Sequence, residues 1–356
     1  MTKEDSTGWV ARLRRRGLGL GGAAGSTPAD AVGRLTAMQA QEHWYARWSV
    51  AQRTAGVPPV SVVDKAFDEG AFLRTHVLRS TWHYVAATDL RWLMRFSGPR
   101  VQAGLVGRHA RLGLDPVTRR RASEVIVAAV AGHPRTRPEL AGFLTNQSID
   151  IEGQRLPHLL MDAELESLIC SGPMNGTAHT YAACDERVPA GDSFEGEGAL
   201  AELAWRYFST RGPAMAGDFA WWAGLRAAEA RTGLALAAPR LDRRVVDGRE
   251  YWFVESVVTD MHGRVDLVQC YDEIAISYRP TRDVLATPEV TFPVPGQVDG
   301  WRHVVLLDGR LLGHWRVVNP RGRAVVEVRA ARALSAAEQR AVDAAVAELA
   351  GNLTVG

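Results

Sequence analysis

Lysine and cysteine are both scarce in this chain. Of its 42 basic residues only Lys3 and Lys65 are lysines, and the other 40 are arginines. Chemistry through an amine nucleophile that forms a Schiff base is therefore left with two candidates. Lys3 lies in a polar terminus, and Lys65 falls inside an expected helix close to Asp64 and Asp68. The three cysteines, Cys170, Cys184 and Cys270, are odd in number, far apart and without a CxxC pair. That spacing argues against a disulfide framework, a zinc ribbon and a cysteine-held iron–sulfur cluster. No metal or other cofactor is expected. No apolar run approaches the ~18 residues that span a bilayer. The first residues, MTKED, lack the basic-then-apolar-then-small order of a secretory signal, so a cytoplasmic protein is expected.

What is present is ordinary globular material: 356 residues, 46% hydrophobic and 23% charged. Disorder is excluded on composition, and the length suits two or three domains. The net charge of +2 hides an asymmetry. Residues 1–160 carry 22 basic against 13 acidic side chains, whereas the remainder carries 20 against 27. A basic first half suits a polyanionic partner, although the arginine excess is also what a GC-rich coding sequence produces.

Local signals divide the chain into repeating pieces. A helix over residues 8–16 runs into a glycine-rich loop. Thr27, Pro28 and Asp30 then mark a new helix start, and helices follow over about 43–54 and 60–70. Residues 76–85 alternate like a strand pair, after which Thr88 is expected to cap a helix over 89–96. The order then recurs. Helices are expected over 117–132, from a capping box at Thr136 and Glu139, and over 153–170, followed by a hairpin over 171–186. It recurs again with helices over 197–211, 215–225 and 226–237 and a hairpin turning at Asp247-Gly248. Beyond about 258 the pattern becomes strand-rich, with a second Asp-Gly turn, and closes in a helix over 335–350 capped by Ser335 and Glu338.

Three helices followed by a β-hairpin, with a tight turn between the second and third helices, describe a winged helix-turn-helix. The expected fold is therefore α+β, mainly α: three tandem winged helix-turn-helix units over 1–98, 99–190 and 191–257, then a β-rich segment with a closing helix over 258–356. One such unit suits a transcription regulator, which usually adds a dimerisation or ligand domain. Three in one chain can line a groove around a duplex.

The segments LTAMQAQEHWYARW (35–48) and LRTHVLRSTWHYVAATDLRWL (73–93), with YDEIAISYR (271–279) and the terminal hairpin and helix, resemble the winged-helix DNA glycosylase superfamily of the AlkZ type. The family signature is a Gln, one intervening residue, then Gln or Asp; here it reads Gln39-Ala40-Gln41. The resemblance implies a cofactor-free, monofunctional, monomeric enzyme without an obligate protein partner. It also implies excision of bulky N-alkylated purines from double-stranded DNA and unhooking of interstrand crosslinks, with Gln39 and Gln41 as the catalytic pair. A winged-helix regulator without catalysis is the alternative.

The chemistry of two glutamines fits one class of leaving group. Side chains two apart share a side only on extended backbone, because a helix turns them roughly 200° apart, so a non-helical break is expected at 39–41. Sugar hydrolases generally protonate the leaving group with a carboxylic acid. An amide cannot do this. A purine alkylated at N7 or N3 already carries positive charge and leaves neutral, so an amide that orients water and dipoles that stabilise the sugar cation suffice.

Other residues are weighed singly. Glu42 supplies negative charge near that cation or partners a helix start. His43, Trp44 and Tyr45 face the lesion or belong to the core, and Trp44 and Trp48, four apart, have core spacing. On the terminal hairpin His314 and Arg316 share a strand face while Trp315 packs behind, which resembles the family's lesion-sensing hairpin. Arg79 is a candidate for phosphate, Trp82 for the core, and His83 belongs to the same recognisable segment. Asp272 and Glu273, if on a strand, point to opposite faces, which favours a structural role for at least one. The runs Arg14-Arg15-Arg16 and Arg119-Arg120-Arg121 are phosphate candidates or solvated helix faces.

Overall fold

Helix starts in this protein follow short local signals. The computed structural model describes residues 3–21, 25–191, 193–255, 262–290, 301–318 and 325–353. Thr27 and Asp30 cap each other reciprocally: the Asp30 N–H donates to Thr27 Oγ1 at 3.2 Å and the Thr27 N–H donates to Asp30 Oδ2 at 3.0 Å. The same box opens the helix Arg137–Asn146 at Thr136 and Glu139, and the helix Ala336–Leu353 at Ser335 and Glu338. Both Asp-Gly turns adopt the positive φ that two-residue hairpins require, at 49° and 74° for Asp247 and Gly248 and at 52° and 81° for Asp308 and Gly309.

The element order repeats. Helices Pro28–Leu35, His43–Ala51 and Val60–Asp68 precede the hairpin Phe72–His76 and Trp82–Ala86. Helices Pro116–Val130, Arg137–Asn146 and Arg155–Leu165 precede strands Ile169–Ser171 and Thr180–Ala183. Helices Gly196–Arg211, Ala216–Ala223 and Ala227–Ala237 precede the hairpin Asp242–Val246 and Arg249–Phe253. The remainder is a four-stranded antiparallel sheet whose order is Val325–Ala330, Arg310–Val318, His303–Leu307 and Val265–Val268, backed by the helix Ala336–Leu353.

Contacts gather these elements into two compact units, residues 1–64 with 201–356 and residues 65–200. The first joins both ends of the chain around buried side chains that include Trp48, Tyr207, Trp222, Tyr278 and Trp315. The second has its own core of Ile126, Leu140, Leu144, Leu159, Leu160 and Ile169.

Some expectations change. The helix after the first hairpin begins at Ala87, not beyond Thr88, with Ala86 at the N-cap and no side-chain cap. It runs unbroken to Arg111 through Pro99, across the boundary expected at 98/99. The boundary expected at 257/258 lies outside the described residues. In the stretch 265–278 only Val265–Val268 is strand; Asp272 then N-caps the short helix Glu273–Ile276, its carboxylate accepting from the Ile274 N–H at 3.1 Å. Asp272 and Glu273 are therefore not alternating strand residues.

Leu144 is fully buried in the second unit's core, while the half-buried Thr136 uses its side chain as a helix cap. Leu144→Ala is expected to lower unfolding free energy by about 2–5 kcal/mol and Thr136→Ala by about 1 kcal/mol in urea titrations. Equal effects would contradict this division between packing and capping.

Candidate active site

The Gln39-Ala40-Gln41 segment is non-helical, as its spacing requires. The helix before it ends at Leu35, Met38 and Gln39 form a two-residue strand, and the next helix begins at His43. Ala40 is fully buried, Gln39 is 8% exposed and Gln41 is exposed. A small apolar residue between the glutamines thus fills the protein side of the segment.

The backbone of this segment is held by a buried ion pair. Glu273 Oε1 accepts the Gln39 N–H at 2.7 Å. Its Oε2 accepts from Arg211 Nη2 at 2.7 Å, Ser277 Oγ at 2.7 Å and Trp222 Nε1 at 3.0 Å. Arg211, sealed from solvent, also donates to the carbonyls of Leu35 at 3.0 Å and Ala37 at 2.8 Å, and its guanidinium lies 4.3 Å from the Trp222 ring. One carboxylate and one guanidinium therefore fix three backbone groups between Leu35 and Gln39. Burial alone raises the Glu273 pKa, but Arg211 and the hydrogen bonds to its charged form prevail and hold it at about 2. The side chain that accepts the Gln39 N–H is thus an anion with both oxygens engaged.

Around this tie stand further elements of the same unit. Asp272, the neighbour of Glu273, is fully buried against Arg53, whose Nη2 and Nη1 approach its two oxygens at 2.6 and 2.9 Å. Glu42, at the start of the helix His43–Ala51, pairs with Arg302 at 2.5 and 2.8 Å and makes no capping bond. Half-burial raises its pKa, and Arg302 opposes the shift. Tyr45 packs its ring 4.3 Å from His303, which stacks on Trp315 at 4.4 Å. Burial and then Arg302 lower the His303 pKa to about 3, and its Nδ1 accepts the Cys270 N–H at 3.2 Å.

The terminal hairpin has the alternation read from its sequence. Trp315 is buried and donates from Nε1 to the Val268 carbonyl at 3.0 Å, while His314 and Arg316 lie half-exposed on the other face. His314 Nδ1 donates to the His303 carbonyl at 3.3 Å, and burial lowers its pKa. Arg316 meets Glu327 across the strand pair at 2.8 Å and lies over Trp301. Trp48 is core, its Nε1 donating to the Leu267 carbonyl, whereas Trp44 is 38% exposed beneath the Arg47 guanidinium. Core spacing therefore held for one tryptophan of the pair. His43 is half-buried.

The arginine runs divide. Arg14 is completely buried, bonded to the carbonyls of Pro213 and Thr281 and 4.0 Å from Asp218, and Arg15 is buried against Asp266. Neither reaches a phosphate in this arrangement, which corrects their expected role: the helix face that carries them is an interior one. Arg16 is half-exposed. In the second unit Arg119 pairs with Asp162 at 2.8 Å, Arg121 donates to the Gln147 carbonyl and Arg120 is exposed. Arg79 is half-exposed in the turn between its strands, Trp82 is half-buried against the core rather than within it, and His83 is buried. Sequence reasoning missed Arg211, Arg302 and Trp222. No local pattern marks them, since Arg211 lies 62 residues from Glu273 and Arg302 lies 260 from Glu42.

Because the folded-state pKa of Glu273 lies below the ordinary 4.5, its contribution to stability is whole above about pH 4.5 and is lost as pH falls toward 2. Glu273→Gln leaves Arg211 buried without its counter-charge and should lower stability at pH 7 by about 3–5 kcal/mol. Urea midpoints of parent and variant should converge as pH falls from 4.5 to 2; a constant difference would remove the charge from the account.

Among the described residues no group of three or more His, Cys, Asp or Glu is arranged to hold a metal ion, and no helix is long and apolar enough to cross a membrane. No curated protein sequence matches the chain. Among solved structures it is similar to Streptomyces sahachiroi DNA glycosylase AlkZ, with a TM-score of 0.78 and 21% identity, over 98% of this chain and 96% of that one. At that identity the likeness speaks for the fold. Residues 32–352 match the family model described as DNA glycosylase AlkZ-like, a span that contains the glutamine segment and the elements that hold it, and the chain belongs to that family of DNA glycosylases.

Proposed function

We propose that this glycosylase hydrolyses the N-glycosidic bond of purines made cationic by N7 or N3 alkylation, bulky natural-product adducts and interstrand crosslinks included, with Gln39 and Gln41 orienting the attacking water. The observation that carries this reading is the tie between Glu273 and the Gln39 N–H. It holds a non-helical segment with an amide at each end, and the carboxylate that makes it stays ionised with both oxygens engaged. A site built on amides supplies position and dipole but no proton. Such a site matches a leaving group that departs as a neutral base without protonation, and it is poorly suited to uracil or an unmodified purine.

Water is the proposed nucleophile. Of the two lysines only Lys65 has a described side chain; it is 76% exposed and lies 3.8 Å from Glu69. His314 and Arg316 are proposed to read the minor groove. With its Nδ1–H donated to the His303 carbonyl, a neutral His314 presents Nε2 as an acceptor, which suits the exocyclic amine of guanine, the donor found in that groove. Reading from this side spares a crosslinked base from being flipped fully into a pocket. The threefold recurrence of helices and hairpin supports three tandem winged-helix units as the duplex-binding frame, with Arg16, Arg79, Arg119, Arg120 and Arg121 toward phosphate. The working form is proposed to be a cytoplasmic monomer without a cofactor.

Release of abasic sites from a duplex with one N7-methylguanine tests the reading. The parent should release the base, and Gln39→Ala and Gln41→Ala should each lower the single-turnover rate by about 10²-fold or more. Borohydride should trap no covalent protein–DNA adduct. Release that is indifferent to both glutamines, or a trapped adduct, would overturn the mechanism.

A further inference from the structure

Two arginines of the first unit, half-exposed Arg16 and exposed Arg34, line a cavity with no acid among its described residues. The cavity, of about 320 Å³, is lined by Leu13, Arg16, Gly17, Arg34, Ser209, Gly212, Phe253 and Val254. Arg16 comes from the last turn of the helix Lys3–Gly17, and Arg34 from the last turn of Pro28–Leu35. The guanidinium of Arg34 donates from Nη2 to the Gly17 carbonyl at 3.1 Å, which uses one of its five N–H groups. Arg16 Nη1 is shielded from solvent and has no hydrogen-bond partner among the described residues. A shielded guanidinium donor without an acceptor is costly, and a second cation in the same cavity adds repulsion. The pKa of Arg34 is lowered first by burial and then by Arg16, so the two charges do sense each other.

The adjoining cavity is built differently. It shares Leu13 and Phe253 with this one and also holds two arginines, Arg243 and Arg244, but Asp242 and Glu255 line it as well, and Arg243 meets Glu250 at 3.2 Å. Acidic side chains thus line the adjoining cavity, and none is among the described residues that line the Arg16–Arg34 cavity. Close packing fixes its floor. A Cβ on Gly17 would stand 2.6 Å from the Thr210 carbonyl oxygen, and one on Gly212 would stand 2.4 Å from that of Phe208. The backbone next to Arg16 is therefore closely packed.

We propose that Arg16 and Arg34 form a binding site for a phosphate-class oxyanion, which supplies the acceptor that Arg16 lacks. Two guanidinium groups lining one cavity suit a tetrahedral oxyanion, which accepts several N–H bonds at once. The ligand is a phosphodiester of bound DNA or a free phosphate. The first source rests on the glycosylase reading above; the anion site itself does not.

The test uses the full chain with Arg16→Gln, Arg34→Gln, the double variant and Arg34→Lys, and two probes. Binding of an undamaged 20-base-pair duplex is followed by fluorescence anisotropy between 50 and 200 mM salt. The thermal midpoint is followed with inorganic phosphate replacing chloride at constant ionic strength. If the site holds a DNA phosphodiester, each Gln variant weakens duplex binding by about 5–10-fold, the salt slope falls by about 0.9 for the lost contact, and Arg34→Lys restores part of both. If the site holds free phosphate, duplex binding is unchanged and only the phosphate-induced rise in midpoint disappears. Unchanged behaviour toward both probes overturns the proposal, as does loss of folding in phosphate-free buffer for both single Gln variants, which would assign the arginines to structure alone. Base release is not the readout, so the outcome stands whether or not the glutamine mechanism does.

Discussion

A guanidinium sealed from water needs acceptors for its donors, and Arg211 finds them on two segments that local sequence does not bring together. It takes the carbonyls of Leu35 and Ala37 on one side and the Glu273 carboxylate on the other, while that carboxylate takes the Gln39 N–H. The loop that carries the glutamines has little structure of its own: two strand residues between a helix ending at Leu35 and one starting at His43. A charge pair whose disruption would strand a buried ion helps to hold its conformation. Catalysis by positioning demands this kind of support, because an amide that only orients water loses its effect when its backbone drifts.

The same device recurs through the first unit. Arg14, Arg15, Arg53 and Arg211 are buried, and each bridges residues from the early part of the chain to residues beyond 200 or belongs to such a bridge. This gives the arginine bias a second meaning. A planar fork with five donors can satisfy a carboxylate and a carbonyl at once with little conformational freedom lost, whereas a lysine brings a strongly hydrated point charge. Several of the arginines that looked like a polyanion footprint are in fact the internal ties of the unit. Arg16 stands one residue beyond that interior face, and its surroundings differ accordingly.

Features set by a few neighbouring residues were legible in the sequence. The Thr27–Asp30, Thr136–Glu139 and Ser335–Glu338 boxes, both Asp-Gly turns, the break at Gln39-Ala40-Gln41 and the alternation of His314, Trp315 and Arg316 follow from side chains within about four positions. Where several local solutions compete, the reading failed. Thr88 is a good cap, yet the helix starts at Ala87. The apolar run after Val268 has strand-like composition, yet Asp272 caps a helix there. The apolar and aromatic content of these stretches says that they are buried but not in which conformation.

By itself, then, the sequence determined the order of helices and hairpins and the non-helical break at the glutamines, because these depend on backbone preferences and on caps that close over three or four residues. Only the tertiary structure decided that Arg14 and Arg15 face inward, that Asp272 and Glu273 are spent as counter-ions, and that Arg211 and Arg302 stand beside the motif. Those outcomes depend on contacts between residues 62 to 267 positions apart. Solvent exclusion at the meeting point, not the identity of any neighbour in the chain, determines whether an arginine or a carboxylate there serves as a surface charge or an internal tie.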